Sequence, residues 1–118
     1  MPERLLPVLR HCELQIELGV LMRTDPGEAT AVENALHKLE AEGTMLPFPW
    51  SSAVRSPPLK GLRELRPRDG HSRVRILYVR HGERFIMLAL APEAEGDPRR
   101  FRRAAQLAAK RFHATTLD

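Results

Sequence analysis

Arg66, Arg73 and Arg75 fall in one ten-residue span, with Glu64 just before them and His71 between them. A guanidinium presents a planar fork of donors that grips the paired oxygens of a phosphate or a carboxylate. If Val74, Ile76 and Tyr78 form the inward face of a strand, Arg73 and Arg75 point outward, because successive side chains alternate. With Leu65 inward in the preceding strand, Glu64 and Arg66 also point outward. Three guanidiniums on one sheet surface repel one another and call for an anion or for Glu64 to balance them. The expectation is a polyanion-binding sheet face. The competing reading is an exposed polar face on which Glu64 and Asp69 offset the arginines. His71 and His81 lie in the turns flanking the same strand; either can act as a general acid or base near pH 7, or simply be solvated.

The charge distribution supports an anionic partner. The chain has 118 residues and a net charge of +4. From Met1 to Val54 there are 4 basic and 8 acidic residues, and from Arg55 to Phe112 there are 15 basic and 6 acidic. In that second stretch 13 of the bases are Arg. RNA, DNA or an acidic protein segment fits such a half; a solvated basic surface is the plain alternative.

The elements that would position these residues can be read along the chain. Cys12, Leu14, Ile16, Leu18 and Val20 alternate with polar residues as in a strand, while Leu14, Leu18, Leu21 and Met22 share a helical face, so periodicity leaves residues 12–22 open. Asp25-Pro26-Gly27-Glu28 has the chemistry of a helix start. Ala29, Val32, Leu36 and Leu39 continue that helix to Gly43. Four prolines across 44–58 forbid regular structure there, and Phe48 and Trp50 are expected to pin the segment to the domain. Strands are expected at Leu62 to Arg66, Arg73 to Arg80 and Arg84 to Ala91, joined by the turns Pro67–Gly70 and His81-Gly82. Asp97-Pro98 opens a last helix with a stripe of Phe101, Ala104, Ala105, Ala108 and Phe112. The expected architecture is one α+β domain over 1–118: a small antiparallel meander with helices packed on one face.

Several classes are excluded. A single cysteine gives no internal disulfide and no Cys-based zinc site, and Cys12 is expected to be a buried structural thiol. No run of about 18 apolar residues suggests a membrane span, and no basic region precedes an apolar stretch at the N-terminus. The expectation is a cytoplasmic protein without cofactor or metal. No Gly-rich phosphate loop is present.

Leu62-Arg63-Glu64-Leu65-Arg66, then Val74-Arg75-Ile76-Leu77-Tyr78, an apolar strand and an Ala-rich helix together resemble the RelE/ParE toxin superfamily. The likeness is greatest to its HigB/Gp49-like branch and covers roughly residues 25–112, with Leu46-Pro47-Phe48-Pro49 standing where that branch has a Leu-Pro segment. The resemblance implies a toxin held by a cognate antitoxin, with mRNA on the ribosome as substrate and metal-independent cleavage to a 2′,3′-cyclic phosphate. Arg66 matches the Arg of the Glu-Leu-Arg strand, and Arg75 matches the Arg that contacts the scissile phosphate in active relatives. With His71 these are the expected catalytic residues; Arg63, Arg68, Arg73 and Arg80 are expected RNA contacts. Two positions depart from the pattern. Ala91-Pro92-Glu93-Ala94-Glu95 is acidic where many relatives carry Lys or Arg, and Phe101 stands where ribosome-dependent relatives have a Tyr. The alternatives are a non-catalytic binding module of the same fold and a ParE-like topoisomerase inhibitor.

Overall fold

Apolar residues at two different periods give this chain its layers. In the computed structural model, which describes residues 7–116, the order is β1 (Val8–Arg10), α1 (Cys12–Thr24), α2 (Pro26–Glu42), β2 (Ser51–Ala53), β3 (Arg63–Leu65), β4 (Val74–His81), β5 (Arg84–Pro92) and α3 (Pro98–Thr116). The ends of the expected 1–118 domain lie outside the described residues. The sheet runs β1-β5-β4-β3-β2. The expected meander β3–β4–β5 is its antiparallel centre, extended by β2 on one edge and by β1, parallel to β5, on the other.

The open question over residues 12–22 resolves as a helix. His11 caps α1, its Nδ1 accepting from the Glu13 amide at 3.1 Å. Leu14 and Leu18 are buried, whereas Ile16 and Val20, which an alternating strand would bury beside them, are exposed. Cys12 is accordingly exposed in the first turn of α1 and is not a core thiol. α2 starts as its sequence dictates: the Asp25 side chain accepts from the Glu28 amide at 3.2 Å, with Pro26 at the first helical position. The same arrangement opens α3, where Asp97 accepts from the Arg100 amide at 3.0 Å.

The helices cover both faces of the sheet, not one. Leu65, Ile76, Tyr78, Phe85 and Met87 face α1 and α2. Leu77, Val79, Ile86, Leu88 and Ala89 face α3 through Phe101, Ala105 and Ala108. Most β4 and β5 side chains are apolar, and a strand buried on both sides needs a cover on both sides. β5 carries one extra residue: Leu77 pairs with Ala89 and Tyr78 with Met87, leaving Leu88 in a bulge. Its carbonyl accepts from Arg111 Nη1 at 2.7 Å, so α3 satisfies what the ladder leaves open. The β4–β5 turn is Gly82-Glu83, and Gly82 takes the left-handed φ of 65° that such a tight hairpin requires.

Candidate functional site

α3 reaches only part of its sheet face. Beyond its N-terminal end the outward side chains of β3 and β4 turn from apolar to charged. Glu64 projects there, as strand parity requires; Arg66, one residue past β3, stays extended with its amide donating to the Trp50 carbonyl at 2.8 Å, so it follows the same parity, and both meet Arg75 from β4. Oε1 of Glu64 lies 3.6 Å from Arg66 Nε and 3.6 Å from Arg75 Nε. The cluster lines an open cleft of about 450 Å³ together with Phe48, Arg55, Glu93 and Glu95.

The two arginines are held differently. Arg75 is 2 % exposed. Its Nη1 donates to the carbonyls of Ser72 and Val74, and its Nη2 to the Gly70 carbonyl at 3.1 Å. These bonds hold the Pro67–Gly70 turn, in which Arg68 and Asp69 take left-handed φ values of 54° and 59°. Such conformations are costly for residues with a Cβ and persist where surrounding contacts fix them. Arg75 is therefore tied mainly to neutral acceptors. Burial first, and then the charge of Arg66, depress its pKa from the usual arginine value. Arg66 is more open: its guanidinium lies 5.2 Å over the Phe48 ring, and its buried Nε has no hydrogen-bond partner among the described residues. Burial lifts the Glu64 pKa above the ordinary carboxylate range, against the opposing pull of Arg66 and Arg75. A carboxylate that holds a proton more readily than usual, beside an unsatisfied guanidinium in an open cleft, can accept a proton and bind an anion at once.

The other expected residues lie elsewhere. Arg73 is at a bend before the first residue of β4, so strand parity does not govern it; it pairs with Asp25 at 3.3 Å. Arg63 shares the parity of Leu65, and its Nε donates to Ser51 Oγ, which is hydrogen-bonded in turn to Tyr78. Arg68 ties the turn to α2 through Glu28 at 2.7 Å and the Gly27 carbonyl at 3.0 Å. Arg80 donates to the Gly82 carbonyl at the distant hairpin. His71 is exposed, with Nδ1 2.9 Å from the Arg68 carbonyl, and does not line the cleft. Trp50 packs on the α1–α2 core as expected, whereas Phe48 is 70 % exposed and serves the cleft instead. Sequence reasoning treated Glu64 as a counter-charge alone. Parity already placed it beside Arg66 and Arg75; its burial, which gives it acid–base character, depends on the tertiary cover.

Among the described residues no group of three His, Cys, Asp or Glu side chains is placed to hold a metal ion, and no helix is long and apolar enough to cross a membrane. No curated protein and no solved structure matches this chain. The family model described as phage-derived protein Gp49-like (DUF891) matches residues 20–92, from within α1 to the end of β5. That span holds Glu64, Arg66 and Arg75 and excludes α3. The chain thus belongs to the Gp49-like family, part of the RelE/HigB-like toxin superfamily, which is associated with toxin–antitoxin pairs.

Proposed function

We propose that this protein is the toxin of a type II toxin–antitoxin pair and cuts mRNA in the cytoplasm, on the ribosome, with the cleft at Glu64, Arg66 and Arg75 as its active site. The observation that carries this reading is the Glu64 carboxylate set 3.6 Å from each of two guanidinium nitrogens at the floor of an open cleft. In the step, Glu64 takes the proton of a ribose 2′-hydroxyl and the 2′-oxygen attacks the adjacent phosphorus. The bond from phosphorus to the 5′-oxygen then breaks, and that oxygen takes a proton from solvent, leaving a 2′,3′-cyclic phosphate and a 5′-hydroxyl. Arg66 donates to the non-bridging oxygens as charge builds on them. Arg75 fixes the turn and adds positive potential from beneath. The antitoxin is the expected partner, covering the cleft with an acidic or amphipathic segment.

Inducing the protein without an antitoxin in a bacterial host tests this. Growth arrest with new transcript ends, lost in Glu64→Gln and Arg66→Ala, is the expected result. Arrest without new ends would favour the topoisomerase inhibitor. The non-catalytic binding module has one observation in its favour: Glu64, Glu93 and Glu95 face Arg55, Arg66 and Arg75, so the cleft carries little net charge. Absence of both arrest and cleavage would select that reading.

A further inference from the structure

α1 has one face that stays uncovered among the described residues. Glu13, Ile16, Val20 and Arg23 recur at spacings of three, four and three, so they line one side of the helix, away from the buried Leu14 and Leu18. Ile16 and Val20 are 68 % and 44 % exposed. Gly19 lies on the same side, and a Cβ at that position would meet nothing within 4 Å. The charges at the two ends are little used. Arg23 is exposed, and its guanidinium makes no ion pair or hydrogen bond among the described residues. Glu13, with a side chain 64 % accessible, reaches Arg111 Nη2 only at 3.5 Å, while Glu17 holds that guanidinium at 2.6 Å.

We propose that this stripe is the interface of a homodimer, in which α1 packs antiparallel on α1 of a second copy about a two-fold axis. The order along the stripe is acid, apolar, apolar, base, and it complements itself when reversed. Ile16 of each copy meets Val20 of the other, and Glu13 of each meets Arg23 of the other. Both copies rise by the same step per residue, so the ends coincide over the roughly 15 Å that separates Glu13 from Arg23. The missing side chain at Gly19 lets the facing Ile16 seat between the helices. Exposed apolar residues alone call for no partner; the opposite signs at the two ends select one. A polyanion is repelled at Glu13, whereas a second copy supplies both signs in the right order and makes every contact twice. The stripe faces away from the sheet, and the charged cleft opens on the opposite sheet face, so the pairing leaves both clefts uncovered.

Sedimentation equilibrium of the whole chain, with a reductant so that the exposed Cys12 forms no cross-link, tests the pairing. The mass is expected to rise from one chain towards two with a midpoint on the order of 100 µM, because two short helices bury less than the ~1,200 Å² of a standard interface. Ile16→Ser removes an apolar contact twice over and should raise the midpoint by at least ~10-fold. Phe48→Ala removes a comparably exposed apolar side chain at the charged cleft and should leave the midpoint within about 2-fold. Glu13→Arg and Arg23→Glu each set like charges together at both ends and should each weaken the pairing about 10-fold. Mixed one to one, these two variants should pair within about 3-fold of the unmodified protein, since every introduced charge then faces its opposite. A single-chain mass up to about 1 mM would overturn the homodimer and leave the stripe to a different protein. A dimer indifferent to Ile16→Ser would also overturn it, since the contact would then lie elsewhere. Charge variants that melt as the unmodified protein does, yet pair no better mixed than alone, would overturn the antiparallel register. The RNA-cleaving reading is untouched by each of these results, because it rests on the other face.

Discussion

Arg75 and Arg111 are both buried cations, 2 % and 7 % exposed, and they meet opposite fates. Arg111 in α3 forms a two-pronged pair with Glu17 of α1 at 3.1 Å and 2.6 Å and also donates to the Leu88 carbonyl. The hydrogen bond to Glu17 is the largest influence on its pKa, which rises above the usual arginine value. Arg75 has three carbonyls and only a share of Glu64 at 3.6 Å; burial, and after it the charge of Arg66, lower its pKa against the pull of Glu64. A carboxylate cancels charge, whereas a carbonyl only solvates it. At Arg111 the positive charge is spent on joining α3 to α1; at Arg75 it is offset only from 3.6 Å, by a Glu64 carboxylate that Arg66 shares. The two sheet faces show the same contrast. The α1–α2 face is closed by apolar packing, while the opposite face is closed only as far as α3 extends, and the charged cluster begins where that cover stops.

The largest expected effect strikes the unneutralised side. Glu64→Gln keeps the shape and removes the base, so RNA cleavage should fall by about 10²- to 10⁴-fold. Its stability should change little. A folded pKa raised above 4.5 means that the stability tied to Glu64 is present below that pH and is lost as pH rises through the folded value. Cleavage by the unmodified protein should rise with pH along a limb centred above 4.5, and the glutamine variant should lack that limb. A pH–rate profile measured on both proteins is decisive; an unchanged limb in the variant would remove Glu64 from the chemistry.

On the neutralised side the effect should be on stability. Arg111→Ala leaves the Leu88 carbonyl in the bulge without its donor and Glu17 without its cation. A loss of about 3 kcal/mol is expected, a melting temperature lower by roughly 10 °C. An Arg111→Met, Glu17→Gln double variant should recover part of it, because a buried ion pair replaced on both sides costs less than one broken on one side. Calorimetry on the three proteins checks this, and cleavage at a temperature where all are folded should be nearly equal.

How legible this contrast was in the sequence follows from the range of the forces involved. Local chemistry wrote the helix starts at Asp25 and Asp97 and the turn at Pro67–Gly70, and those readings hold; the second meander turn falls one residue later than expected, at Gly82-Glu83, because His81 still pairs with Arg84 at the end of β4. Strand parity put Glu64, Arg66 and Arg75 on one face because parity is a property of the backbone alone. It held at Arg66, which continues β3 in extended conformation, and failed at Arg73, where a bend ahead of β4 hands the side chain to Asp25. The alternation at residues 12–22 suited two periods equally, and only packing against α2 and β5 decides for the helix. The exposed Cys12, the α3 layer on the second face and the edge strands β1 and β2 all depend on partners far along the chain. So does the burial that lifts Glu64, and no local pattern encodes it.

α2 offers a smaller test. Asp25 both caps α2 and pairs with exposed Arg73, whose side chain is 82 % accessible. The pair itself should contribute almost nothing at that exposure, so Asp25→Ala should cost the value of a cap, about 1 kcal/mol, and Arg73→Ala close to zero. Denaturant midpoints distinguish the two. A large effect of Arg73→Ala on RNA affinity with none on stability would restore it to the RNA-binding surface, along a path outside the main cleft.

The smallest predicted effect on RNA binding concerns Phe48, the one large apolar residue lining the charged cleft among the described residues. Its ring lies under the Arg66 guanidinium at a centroid distance of 5.2 Å, and it is 70 % exposed. A cation over an exposed ring is worth about 0.5–1 kcal/mol, and here the contact restricts a side chain whose buried Nε has no hydrogen-bond partner among the described residues. Phe48→Ala should leave melting unchanged, because the ring lies outside both core clusters. It should weaken RNA binding by about 3-fold, since Arg66 must then be ordered when the phosphate arrives. Phe48→Trp, a better cation–π partner, should restore or exceed the original affinity. If alanine and tryptophan act alike, the ring is merely exposed surface and Arg66 is held by Glu64 alone; if they diverge as stated, the aromatic rim helps to preorganise the unneutralised side of the molecule.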